Sequence, residues 1–167
     1  KSVFLGKVLK DKIEKHSVFY KGNLDLAFEK LSKFMLLSFD FLKDRLEDEW
    51  EKADGIIVIN KGIYSIIMIL SDIIDHLTKM NEISERDNVN IIFEKVEKYL
   101  APLVTFYKNV DEDTITSLKT AYGTGGDVKY WRTLQKFIRE QCPDFNPEGL
   151  DDYLRKEEKV YNTKAFE

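Results

Sequence analysis

The sequence predicts an all-α fold: one multi-helix domain arranged around a central buried helix at about 63–80. Three observations carry this. Apolar residues recur at three- and four-residue steps along most of the chain, the spacing of one helix face. Gly (8) and Pro (3) are few, which disfavours a turn-rich β architecture. The one short β-branched run that stands apart, Ile56-Ile57-Val58-Ile59, reads as a short strand or an extended buried segment at most. At 167 residues and 43% hydrophobic, the chain suits a single domain that buries about two-thirds of its unfolded surface.

In chain order, residues 1–22 form a Lys-rich stretch with Val3, Leu5, Val8, Leu9 and Ile13 on a partial apolar side. They are expected to be a basic connector from an upstream domain, the chain starting at Lys1 and being a piece of a longer protein. Lys1, Lys7, Lys10 and Lys12 interrupt the apolar run that a secretory leader needs, so no signal-peptide pattern is read at the start. The helical domain is expected over 23–160. Residues 24–49 read as a long helix capped by Asn23 or Asp25, with Leu24, Phe28, Leu31, Met35, Phe39 and Leu42 as its inward stripe. An acidic stretch around Trp50 and then Gly55 follow. Asn60-Lys61-Gly62 reads as a turn. From Ile63 to Met80, Ile63, Ile66, Ile67, Leu70, Ile73, Ile74 and Leu77 make a broad apolar face, and Ile67 and Leu70 are expected to be fully buried. Lys61 and Asp72 leave this stretch well short of the ~20 apolar residues of a membrane span, so no membrane contact is expected.

Residues 81–88 are polar and predict a loop. Val89, Ile92, Phe93, Val96 and Leu100 predict the next helix, which Pro102 either restarts or kinks. Asp111 or Asp113 caps a short helix with Ile115 and Leu118 inward. Gly123-Thr124-Gly125-Gly126 reads as a tight turn with Asp127 as the next cap, and Val128–Gln141 as a helix with Trp131, Leu134, Phe137 and Ile138 inward. Asn146-Pro147 marks the start of a last helix, and 161–167 a frayed tail.

Composition excludes several classes of chemistry. One Cys excludes an internal disulfide framework and a Cys-cluster zinc site, and two His exclude a His-triad metal site. Asp72 and His76 stand at i and i+4, a spacing that needs a third ligand, and read as a polar helix edge. No catalytic residue, metal or cofactor is expected. The net charge of −4 removes any global argument for nucleic-acid binding, but the charge is uneven: +4 over 1–22, −4 over 23–54 and +3 over 119–142.

The second basic island is the candidate site. Lys119, Lys129, Arg132, Lys136 and Arg139 lie in it, with Arg132, Lys136 and Arg139 on one helix face. Gly123, Thr124, Gly125 and Gly126 stand ahead of them, where glycines let backbone N–H groups face outward at a helix start. Cations beside Tyr122, Tyr130 and Trp131 can bind a nucleic-acid backbone and stack a base. The alternative is a helix-ending glycine turn followed by an ordinary solvated face.

The stretch Asn60-Lys61-Gly62-Ile63-Tyr64-Ser65-Ile66-Ile67 with Leu70-Ser71-Asp72-Ile73-Ile74, the segment Tyr122-Gly123-Thr124-Gly125-Gly126 running to Tyr130-Trp131-Arg132, and Pro143-Asp144-Phe145-Asn146-Pro147 resemble the C-terminal helical part of DGQHR-domain (DndB-like) bacterial proteins, over roughly residues 17–155. The DGQHR signature itself is absent from this chain. The resemblance implies a cytoplasmic protein associated with DNA phosphorothioation or similar DNA modification and defence. It supplies no catalytic residue. The expected function is a non-catalytic helical domain that contacts DNA through the 119–142 face, or a partner such as another DNA-modification protein or itself. A purely structural or oligomerisation module is the alternative, and a helical nuclease or hydrolase fragment the third.

Overall fold

A computed structural model describes residues 18–20, 22–121 and 123–164, with backbone alone at 123, 124 and 158–164. Seven helices and no strand occur among the described residues: α1 (Leu24–Arg45), α2 (Glu47–Glu51), α3 (Asn60–Lys79), α4 (Val89–Asn109), α5 (Glu112–Thr120), α6 (Gly123–Gln141) and α7 (Leu150–Lys164). The all-α expectation holds. Residues 1–17, with the N-terminal basic island except Lys21, lie outside the described residues, as do Lys21, Tyr122 and 165–167.

The central helix is α3, which packs against α6 and α4; α4 is in turn covered by α1. Ile66, Ile69, Leu70, Ile73 and Leu77 of α3 are fully buried. They meet Ile92, Val96, Leu100 and Leu103 of α4 and Leu134 and Ile138 of α6 in one hydrophobic cluster. Leu70 is buried as expected, but Ile67 is only half-buried, and Ile69 takes the core position instead.

Asn23 caps α1, its Oδ1 accepting from the Leu26 N–H at 3.1 Å. The inward arc of α1 differs from the expected stripe. Ala27, Phe34, Ser38, Phe41 and Leu42 are buried, whereas Leu24 and Phe28 are exposed and Leu31, Met35 and Phe39 sit at the edge. Apolar residues surround this helix, so periodicity alone does not choose a face; small Ala27 and Ser38 lie on the side that turns inward. The long helix also breaks at Leu46, which is buried while α2 turns away.

Residues 56–59 are a turn, not a strand: the N–H groups of Val58 and Ile59 both return to Gly55 O. Ile56 and Ile57 are buried there. A Cβ on Gly62 would lie 2.1 Å from Ile56 O, so the glycine is what lets this turn lie against α3. Asn60-Lys61-Gly62, expected as a turn, is the first turn of α3. The Tyr130 hydroxyl of α6 pins the 56–57 backbone from the other side, donating to Ile56 O at 2.7 Å and lying 3.2 Å from the Tyr107 hydroxyl. Lys61 sends its ammonium to the C-terminal carbonyls of α5, at 3.0 Å from Lys119 O and also to Ala121 O, where the helix dipole favours a cation.

Pro102 neither restarts nor ends α4, which runs through it. Proline has no N–H for the carbonyl four residues back, that of Lys98. The Cys142 thiol lies 3.9 Å from that oxygen, the place for a weak S–H···O contact. Asp111 caps α5 through the Thr114 N–H at 2.8 Å.

Two further helix starts differ from expectation. Gly123–Gly126 is already the first turn of α6, so Asp127 lies inside the helix rather than capping it. A Cβ on Gly126 would stand 2.3 Å from Ala121 O, so the glycine allows α6 to start directly against the end of α5. α7 starts at Leu150, after a turn closed by Leu150 N–H to Pro147 O and by Gly149 at φ +75°. It continues through 161–164, which read from sequence as tail.

Candidate functional site

Arg132, Lys136 and Arg139 do share one face of α6, but the structure gives most of the island internal partners. Lys119 donates to Asp54 Oδ2 at 2.9 Å, and Lys129 donates to Ser117 Oγ on α5. Arg132 lies over the Trp131 ring, 4.3 Å from its centroid, and donates to Gln135 Oε1 at 2.7 Å and to Glu148 O at 3.0 Å. Arg139 pairs with Asp151 in the first turn of α7 and holds that carboxyl below its ordinary range. Lys136 is exposed and lines a groove whose other polar residues include Asp111, Thr133 and Glu140, so carboxylates accompany its charge. Of the glycines, Gly125 is exposed with open space around it, and Gly126 is buried against Ala121; of the Thr124 side chain nothing is described. The arrangement is therefore a set of ties that hold α5 and α7 onto α6. Among the described residues, Lys136 is the cation of this island for which no such tie is seen.

At two helix seams Asp72 and His76 find partners that sequence reasoning missed. Asp72 Oδ2 accepts from the Trp131 indole N–H at 2.5 Å and from the Gln135 amide at 2.6 Å, joining α3 to α6. Burial pushes its carboxyl up to about 6, against the pull of those two donors and of Arg132. His76 faces a different neighbour. Its Nε2 lies 3.2 Å from the Tyr99 hydroxyl, which donates to Asp144 Oδ2 at 2.5 Å; Lys98 adds a contact to the same carboxylate at 3.2 Å. Because the hydroxyl proton goes to Asp144, the imidazole is the donor to the tyrosine oxygen. Burial and the Asp144 bond push the Tyr99 hydroxyl up to about 12, while Tyr99 and Lys98 hold Asp144 down. Asp72 and His76 thus do not converge, despite their i, i+4 spacing. The sequence signal for the first seam was Trp131 with Gln135 at i+4 opposite Asp72, one of two carboxylates on the core helix; for the second there was none.

Chemically, these seams tie the helices together through hydrogen bonds. Every donor named is matched to an acceptor within the fold, and burial raises the Cys142 thiol away from the reactive thiolate. Among the described residues no three His, Cys, Asp or Glu side chains come together as a metal-ligand set, and no helix is long and apolar enough to cross a membrane. Comparison with protein-family models, curated proteins and solved structures finds no match to this chain.

Proposed function

We propose that this domain is a non-catalytic interaction module that works through protein contact, within the bacterial, cytoplasmic DNA-modification or defence context that the motif resemblance implies. That context rests on the short motifs alone. One observation carries the choice of protein over DNA: four of the five cations in the 119–142 island have intramolecular partners, while α1 leaves Leu24, Leu26, Phe28 and Leu36 exposed. A phosphate-binding face needs cations free to neutralise phosphates, and exposed apolar side chains on α1 are available for protein contact.

The test is a duplex-DNA titration at several salt concentrations on the wild type and on Lys129→Ala/Lys136→Ala. Equal affinity and equal salt dependence in the two proteins support the reading. Binding that weakens in the variant, with a salt slope shallower by about two, overturns it in favour of DNA contact through α6.

A further inference from the structure

The outer face of α1 is self-complementary about its midpoint. With 100° per residue, Glu29, Ser32, Leu36, Phe39 and Lys43 form a seam with steps of three and four, the spacing of paired helices. Leu36 stands at its centre and is 64% exposed. Glu29, Ser32 and Lys43 are exposed as well, and Phe39 lies at the edge, its inner side against Trp50 with ring centroids 6.1 Å apart. The core lies on the far side, along Ala27, Phe34, Ser38 and Phe41.

We propose that two copies of this chain associate by antiparallel packing of α1 on α1 across a two-fold axis at Leu36. This rests on the protein-contact reading above and names the partner. In an isologous contact, residue i of one copy meets residue j of the other and j meets i. An axis at Leu36 sets Leu36 against Leu36 and Glu29 against Lys43 twice over. It sets Ser32 opposite Asp40 and Phe39 opposite Lys33, so that Lys33 of one copy comes within one residue of Asp40 of the other along the seam. Each exposed charge in the seam finds its opposite, and the one fully projecting leucine finds apolar cover. In-register parallel pairing places Glu29 on Glu29 and Lys43 on Lys43, so charge selects the antiparallel arrangement.

Sedimentation velocity over a concentration series tests this on the full chain. The wild type is expected to pass from monomer to dimer, with Leu36→Asp and Glu29→Lys each weakening association by about tenfold or more, since each change acts twice across the axis. Glu29→Lys combined with Lys43→Glu is expected to restore it; this double variant carries the same composition of charge, reversed. Circular dichroism confirms that all variants keep their helix content. A monomeric wild type at every concentration overturns the pairing, as does association that Leu36→Asp leaves unchanged or that the double reversal fails to restore. A monomer does not touch the choice between protein and DNA contact, which the salt titration decides separately.

Discussion

Replacing Asp72 by Asn is expected to stabilise the protein at neutral pH. The carboxylate sits in the α3–α6 seam, where burial raises it from 3.8 to about 6 although two N–H donors and Arg132 favour its charge. Asp75 on α3 works in the same direction as burial. A raised carboxyl means that the folded chain binds the proton more tightly than the unfolded chain does. The stabilising contribution is therefore fully present below about pH 4 and is lost as pH rises through about 6. The gap corresponds to about 3 kcal/mol at neutral pH, as an upper figure. Asn keeps the oxygen that accepts from Trp131 and Gln135 and carries no charge to desolvate. Its NH₂ needs an acceptor of its own, which reduces the gain to about 1–3 kcal/mol. The assay is urea unfolding of both proteins at pH 5 and pH 7.5, with equal m-values. The carboxylates held low, such as Asp144 and Asp151, have the opposite pH dependence but are common to both proteins, so the difference isolates Asp72. A variant less stable than the wild type at pH 7.5, or a difference that does not shrink on acidification, refutes the reasoning.

The core positions on α3 separate by burial: Leu70→Ala is expected to cost about 2–5 kcal/mol and Ile67→Ala clearly less, because Ile67 is only half-buried. Urea unfolding of the two variants checks the order, and equal losses contradict it. Tyr130→Phe removes the donor to Ile56 O and leaves that buried carbonyl unpaired, at a cost of about 1–3 kcal/mol. Hydrogen exchange in the 55–59 turn is expected to rise in this variant; unchanged exchange there argues against the pin.

Much of the fold was legible because helix periodicity and capping are local. Asn23 and Asp111 cap as their side chains predict, and the Ile/Leu density of 63–77 marks α3 as the core helix. Periodicity failed on α1, where apolar residues surround the axis and only packing decides which arc goes inward. Residues 56–59 are β-branched enough for a strand, but Gly62 just beyond them and Tyr130, far off in the sequence, hold them as a turn. The candidate site was legible as a row of cations on one helix face and misleading as to their use. Glu148 O and Asp151 reach Arg132 and Arg139 only because the chain folds back after α6, which composition does not reveal. Asp72 was visible beside His76 in sequence, yet its partners lie on α6 and those of His76 on α4 and the loop beyond α6.

The claim that the α6 cations are structural ties is tested most directly by the unfolding free energy of Arg132→Ala/Arg139→Ala, read with hydrogen exchange along α7. The double variant removes the bonds to Gln135, Glu148 O and Asp151 together. It is expected to lose about 2 kcal/mol and to exchange faster through Leu150–Lys164. A change within about 0.5 kcal/mol, the usual range for exposed surface substitutions, with α7 protection intact, would show a solvated face and contradict the account.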